Sequence, residues 1–251
     1  MNVVETLISD KNPLLKEVRR LAAGGAPGED RLVLAEGPHL LDEAVRAKIE
    51  IYAVILAESA PEIAVEGAGR VVRVLDGLFN KLASTESPQG VLALVRLLEW
   101  TPADLLRGTP LVVVLDGVQD PGNAGAILRT AEAFGATGAV FLKGTVSFSN
   151  PKCLRASAGS AFRLPVIVGT PAEIPPGLTL YAADPRAELL VSQAKLNTPC
   201  AIVIGAEGSG VRPELAARAT GVKIPTVNVE SLNAAVAAGI LLYEARRQRN
   251  V

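Results

Sequence analysis

The chain has 251 residues, 49 % of them apolar and 20 % charged, with 25 Lys+Arg against 26 Asp+Glu, one His and two Cys. That length and apolar content support one large or two small cored domains and exclude a disordered chain. A near-neutral balance excludes a polyanion binder that works by bulk charge, so any nucleic acid must be held by local patches. Residues 1–98 carry 11 basic against 14 acidic residues, and residues 99–251 carry 14 against 12.

Cys153 and Cys200 are too few for a disulfide framework or a thiolate metal site, which points to a reducing compartment. The single His39 excludes a multi-histidine metal centre, so no metal is expected. The N-terminal MNVVETLISDKN is charged by Glu5 and has no long apolar core, so it reads as no signal peptide. The longest apolar stretch, Ala234 to Tyr243, falls short of the ~20 residues that span a bilayer. A soluble, cytoplasmic protein is expected.

In chain order, apolar spacing predicts a helix over Asn12 to Leu21, with Lys11, Lys16, Arg19 and Arg20 on a basic face. Such a face is usually just solvated; as a functional face it would steer an RNA backbone. A loop at Gly24 to Asp30 precedes a short strand, Arg31 to Ala35. Gly37-Pro38 opens a helix to Ala47. Strands follow at Ile51 to Leu56 and Val71 to Leu75, then a helix at Phe79 to Ala83 and a strand at Gly90 to Leu98. This is a compact α/β domain, residues 1–98. Glu99 to Pro110, with two prolines and a glycine, marks a linker over 99–110.

The second domain, residues 111–251, repeats strand–helix units. Leu111 to Leu115 is a run of five apolar residues, the pattern of a strand buried on both faces. A helix from Asn123 to Phe134, strands at Ala139 to Leu142, Leu178 to Ala182 and Ala201 to Ile204, and a last helix from Ser231 to Arg247 imply a mostly parallel sheet. Ligands sit beyond the carboxyl ends of such strands, where the glycine-rich turns of this half lie.

Three segments stand out. In DGVQDPGNAGAILRTAEAFG, Asp116 to Gly135, a buried strand runs through a Pro-Gly turn into a helix. Asn123 sits near its start, placed to cap the helix or position a ligand, and Arg129 follows six residues later, off the same stripe. By spacing alone, a capping Asn and a solvated Arg explain both. In VIGAEGSGV, Val203 to Val211, three glycines allow a ligand close to the backbone. The spacing G-x-x-G-x-G is neither a dinucleotide fingerprint nor a P-loop. Glu207 inside it would repel phosphates and favour a nucleoside-like or sulfonium ligand. In KIPTVNVESLNAAVAAGILLYE, Lys223 to Glu244, a strand end at Ile224-Pro225 leads through a polar loop to a helix, and Ser231 and Asn233 flank Leu232 at its start. The AAVAAG that follows asks for close packing by the sheet, a ligand or a second subunit.

Together and in this order, the three segments resemble the motifs of the SpoU (TrmH-type) branch of the SPOUT superfamily of RNA 2′-O-ribose methyltransferases. In the first half, LVLAEGPHLLDEAV and LASTESPQGVLALV resemble the L30e-like substrate-binding domain often joined to that catalytic domain. The resemblance implies a parallel α/β fold with a C-terminal deep trefoil knot formed by the second and third segments. It implies S-adenosylmethionine as cofactor, held by the backbones of Gly205, Ile224 and Leu232. It implies an active site of Asn123, Arg129, Glu207, Ser231 and Asn233, and a homodimer acting on RNA. The fused first domain tilts the substrate towards ribosomal RNA, with transfer RNA as the alternative. Arg155 and Arg163, in PKCLRASAGSAFRLP, join the basic face as candidate RNA contacts, while Ser157 and Ser160 read as loop caps.

Asn228 stands where the family often has glycine, Ala235 where it often has serine, and Gly24 to Asp30 is less basic than its counterpart. A non-catalytic RNA-binding or ribosome-assembly protein is a competing reading, opposed by the intact polar residues. A nucleotide-dependent oxidoreductase is another, opposed by the missing G-x-G-x-x-G.

Overall fold

A computed structural model describes residues 5–63 and 67–249. The first four residues, part of the segment read above for a leader, lie outside the described residues. In chain order the elements are β1 (Glu5–Leu7), α1 (Pro13–Ala22), β2 (Leu32–Glu36), α2 (Pro38–Arg46), β3 (Glu50–Ala57), β4 (Val71–Val74), α3 (Asp76–Leu82) and β5 (Val91–Arg96). After them come β6 (Leu111–Asp116), α4 (Pro121–Ala133), β7 (Gly138–Leu142), α5 (Pro151–Ser157), α6 (Ser160–Arg163) and β8 (Val166–Gly169). The chain closes with β9 (Thr179–Ala183), β10 (Cys200–Gly205), α7 (Pro213–Ala216), β11 (Thr220–Val222) and α8 (Ala234–Gln248).

The contacts divide the chain into two compact units. The first takes the residues up to Glu99 together with Ser149–Phe162; the second takes Trp100–Phe148 and the chain from Arg163 onward. Sequence places 149–162 in the second half, but here it packs in the first unit, with α5 against β2. A charge pair explains this. Arg155 reaches the buried Glu36 at 2.7 Å, across 119 residues of chain.

The first unit is a five-stranded mixed sheet in the order β1-β4-β3-β5-β2. β3 pairs parallel with β4 and antiparallel with β5, which also pairs antiparallel with β2. Helix α1 begins where Asn12 accepts the Leu14 N–H at 2.9 Å, and it buries Leu14, Leu15, Val18 and Leu21. Those residues join Ile55, Val72, Phe79, Leu82 and Leu94 in one core. Each such side chain taken from water contributes roughly 1.5–3 kcal/mol.

The second unit is a six-stranded sheet in the order β11-β9-β10-β6-β7-β8, with every pairing parallel. β6 and β10 are buried along almost their whole length, which suits sheet centres covered on both faces. The strand order reverses between β6 and β10. In doubly wound sheets that reversal opens a crevice at the strands' carboxyl ends.

The structure moves several predicted boundaries. Helix α4 starts at Pro121 rather than Asn123, because Asp120 is the cap: its carboxylate accepts the Asn123 N–H at 2.8 Å. Helix α8 starts at Ala234 rather than Ser231, because Asn233 caps it, accepting from Ala235 and Val236 at 2.9 and 3.2 Å. The strand expected to end at Ile224-Pro225 ends at Val222. Elements without a sequence signal are short: β1 has three residues, β8 has four, and α5, α6 and α7 run four to seven.

The close packing that AAVAAG asks for comes partly from α4. A Cβ added at Gly239 would lie 3.6 Å from the Thr130 methyl, and Phe134 meets Tyr243 edge-on at 5.7 Å. Val236, Ile240 and Tyr243 stay exposed along α8 at a helical spacing. Among the described residues no helix is long and apolar enough to cross a membrane. Cys153 and Cys200 are both buried, and neither is in a disulfide.

Candidate active site

A cleft of about 840 Å³ opens at the carboxyl ends of β9, β10 and β11 and at the start of α8. Its walls are the three loops that follow those strands. Gly205, Glu207, Ile224, Ser231 and Leu232, five of the residues expected from sequence, line it.

The β10 loop closes tightly on itself. Ala206 N–H donates to the Gly210 carbonyl at 3.1 Å, and Gly210 N–H donates back at 2.9 Å. This turn exists because residue 205 has no side chain. A Cβ there would sit 2.2 Å from the Gly210 carbonyl carbon and 2.3 Å from the Val211 nitrogen, both backbone atoms. Gly210 has φ of +69°, a region L side chains rarely enter. In the third loop Asn228 has φ of +63°. Asn tolerates that conformation better than most residues, which explains how it replaces a family glycine. Thr226 Oγ1 donates to the Val229 carbonyl at 2.9 Å and folds this loop.

A chain of polar bonds joins the three segments. Asn233 Nδ2 donates to Asn123 Oδ1 at 3.0 Å, and Asn123 Nδ2 donates to Glu207 Oε1. Because Asp120 supplies the helix cap, the Asn123 side chain is free for this link. Capping, the plain structural reading of Asn123 from sequence, is therefore done by its neighbour. Arg129 stands apart, exposed on α4 with no partner among the described residues. Ser231 is exposed at the cleft and also has no partner among them.

Sequence reasoning passed over three charged residues. Asp184 and Arg186, just beyond β9, also line the cleft. The Asp184 carboxyl is held below its ordinary range by the Arg186 N–H at 2.9 Å; burial opposes this, and the guanidinium reinforces it. Their signal was available: DPR follows directly on a predicted parallel strand. Arg212 lies beyond the β10 loop and pairs with the buried Asp116, a contact with no local signal.

The basic candidates fall into two groups. Lys11, Lys16 and Arg19 have no ion pair among the described residues. Arg20 binds Glu17 at 2.6 Å and the Ala26 carbonyl. Arg163 makes a two-pronged pair with Glu132 at 2.6 and 2.9 Å. Arg155 binds Glu36 and Ser84 Oγ. Burial pushes the Glu36 carboxyl up, but hydrogen bonds from Ser84 and Thr85 and the Arg155 charge outweigh it and hold the group below its usual range. Ser157 is buried, donating to the Leu154 carbonyl at 2.8 Å and accepting the Ala161 N–H at 3.5 Å, at the start of α6. His39 lies exposed in the first turn of α2. No group of three or more His, Cys, Asp or Glu able to hold a metal occurs among the described residues.

The chain matches two family models: the SpoU rRNA methylase family over residues 110–243, and an MRM3-like substrate-binding domain over residues 12–93. It is 34 % identical to a Synechocystis protein named an uncharacterized tRNA/rRNA methyltransferase, over 98 % of this chain and 95 % of that one. It is 30 % identical to a 23S rRNA guanosine 2′-O-methyltransferase of Bacillus subtilis, over 95 % of this chain and 98 % of that one. An AdoMet-bound rRNA methyltransferase from Sinorhizobium meliloti superposes with a TM-score of 0.85 at 28 % identity, covering 97 % of this chain and 98 % of that one.

Proposed function

We infer that this chain, which belongs to the SpoU rRNA methylase family, transfers a methyl group from S-adenosylmethionine to a ribose 2′-hydroxyl of ribosomal RNA. Its enzymatic class is RNA 2′-O-ribose methyltransferase. The observation that carries the finer reading is the bond chain Asn233–Asn123–Glu207, which draws all three motifs together beside one cleft.

The cleft fits the cofactor by size and by charge. About 840 Å³ lies within the usual ~300–1,000 Å³ of small-molecule sites. Its ionisable lining is mainly acidic, with Glu207, Glu230 and Asp184 against Arg186, which suits a sulfonium cation better than a pyrophosphate. The backbones at Gly205, Ile224 and Leu232 would hold the group. When bound, S-adenosylmethionine supplies an electrophilic methyl group.

The chain's own residues bind and orient. Arg129, exposed and uncommitted, anchors the phosphate beside the target ribose and favours the ionised hydroxyl. A guanidinium is no base at neutral pH, so its part is electrostatic, and the hydroxyl proton leaves to water. Asn123 and Ser231 position the target nucleotide. Asn233 and Glu207 fix the loops by the bonds described. Holding two reactants in line accounts for much of the rate gain.

The uncommitted cations Lys11, Lys16 and Arg19 of the first unit hold the RNA backbone, while Arg20, Arg155 and Arg163 serve the fold through their ion pairs. The exposed stripe Val236, Ile240 and Tyr243 fits the homodimer that the family forms. The knot belongs to the same reading, through the 205–211 and 223–233 segments. Transfer RNA is the second substrate reading, favoured by the name of the Synechocystis relative.

Titration with S-adenosylhomocysteine beside a methyl-transfer assay tests the assignment. Arg129→Ala is expected to bind the product like wild type and to lose transfer by about a thousandfold or more. A variant that keeps near-normal transfer contradicts the role of Arg129.

A further inference from the structure

Asp116 is the last residue of β6, and its side chain is 3 % exposed. It stands in register with Gly205, the residue at which β10 ends and the cleft loop begins. Its carboxylate then receives the residue at which that loop returns. Arg212 N–H donates to Oδ2 at 2.7 Å, and Arg212 Nε donates to Oδ1 at 2.6 Å. The same guanidinium donates through Nη2 to the Lys143 carbonyl, just beyond β7, at 2.9 Å. One buried carboxylate thus meets the loop where it leaves the sheet and where it comes back. Between those points lie the closed Ala206–Gly210 turn and Glu207, which is bonded to Asn123.

We propose that Asp116 and Arg212 are positioning residues, a clasp that sets the β10 loop against the cofactor and fixes the reach of Glu207. This rests on the reading of the cleft as the S-adenosylmethionine site. The physical ground is a division of labour. Backbone pairing alone, Gly205 with Asp116, holds the outgoing strand. The incoming chain at Arg212 is in no strand, and side-chain bonds to Asp116 tether it there. Loss of the pair therefore leaves the β6–β10 ladder intact and releases only the loop. Planar bidentate recognition explains why an Arg stands here: its fork binds a carboxylate and a carbonyl together, which a Lys cannot do.

The test uses the full chain with S-adenosylhomocysteine as the probe. Arg212→Gln removes a side chain that is 29 % exposed and should fold; Asp116→Asn keeps the shape of the buried group. Each is expected to weaken S-adenosylhomocysteine binding by tenfold or more. The double variant should bind no worse than Asp116→Asn, because the guanidinium contact that Arg212→Gln removes is among those the carboxylate makes, the Arg212 N–H bond being untouched by Arg212→Gln. Arg212→Lys should fall between wild type and Arg212→Gln. RNA affinity should stay within twofold. Amide hydrogen exchange should speed up over residues 205–212 and hold its wild-type rate in β6 and β7. A folded Arg212→Gln with wild-type affinity and wild-type loop exchange overturns the clasp. So does acceleration across the whole sheet with both ligands weakened together, which marks a purely structural pair. If the wild-type chain itself fails to bind S-adenosylhomocysteine, the cofactor reading falls, and the clasp's ligand falls with it.

Discussion

Gly205→Ala is the smallest change that should close the cofactor site. The added Cβ would lie 2.2 Å from the Gly210 carbonyl carbon, 2.3 Å from the Val211 nitrogen and 2.5 Å from the Gly210 oxygen. An ordinary contact starts at 3.4 Å, so the 210–211 backbone must retreat by about 1 Å. That retreat is opposed by the Ala206–Gly210 bonds and by the tether of Arg212 to Asp116. No flexible side chain is available to yield. The cost falls near the top of the overpacking range, about 3 kcal/mol. Felt in binding, that is about a hundredfold in the Kd for S-adenosylhomocysteine. Calorimetric titration reads it directly. Gly208→Ala is the control for folding, since an added Cβ meets nothing within 4 Å and the backbone needs no positive φ. A Gly205→Ala protein with a Kd within threefold of wild type and an unchanged Tm would refute the steric account of this loop.

Three further outcomes follow from the same geometry. The Glu36 carboxyl titrates below its ordinary range, so its stabilisation is full above about pH 4.3 and is lost as the pH falls through the lowered value. Glu36→Gln should cost about 1.5–3 kcal/mol at pH 7 and flatten the acid limb of a Tm-against-pH curve; an equally steep limb would remove Glu36 as its source. Replacing Lys11, Lys16 and Arg19 with Ala should lower the slope of log affinity for RNA against log salt by about 0.7 per lost phosphate contact, while Arg163→Ala should lower Tm and leave the slope alone. Ile240→Asp places a charge in the exposed stripe of α8 and should give a monomer by sedimentation; a dimer of unchanged affinity would exclude this stripe as the interface.

Legibility followed locality. The apolar run Leu111–Leu115 is legible as a strand buried on both faces, and Ala201–Ile204 as a strand of the same parallel sheet. Glycine spacing marked the cleft loop, and the lone Glu207 marked its charge preference. Helix starts were misplaced by two or three residues because two candidate caps stood close together. Asp120 competes with Asn123, and only the fold shows that Asn123 turns to Glu207, 84 residues away. The same holds for α8, where Ser231 and Asn233 both qualify and Asn233 wins. Strands of three or four residues carry too few alternations to register a period, so β1 and β8 were silent. Long-range charge pairs were unreadable in principle. Asp116 with Arg212 and Glu36 with Arg155 are separated by 96 and 119 residues; Arg155 reads as an RNA contact, and Arg212 carries no signal at all. Segment 149–162, in the first unit, carries one member of the second pair, Arg155.

The measurement closest to the central claim is transfer of labelled methyl from S-adenosylmethionine to unmodified ribosomal RNA, transfer RNA and ribosomal particles, with Arg129→Ala beside wild type. The account predicts label at a ribose 2′-oxygen of ribosomal RNA, free or assembled, and its loss in the variant while S-adenosylhomocysteine still binds. Label on no RNA or particle, from a wild-type chain that folds, would contradict it.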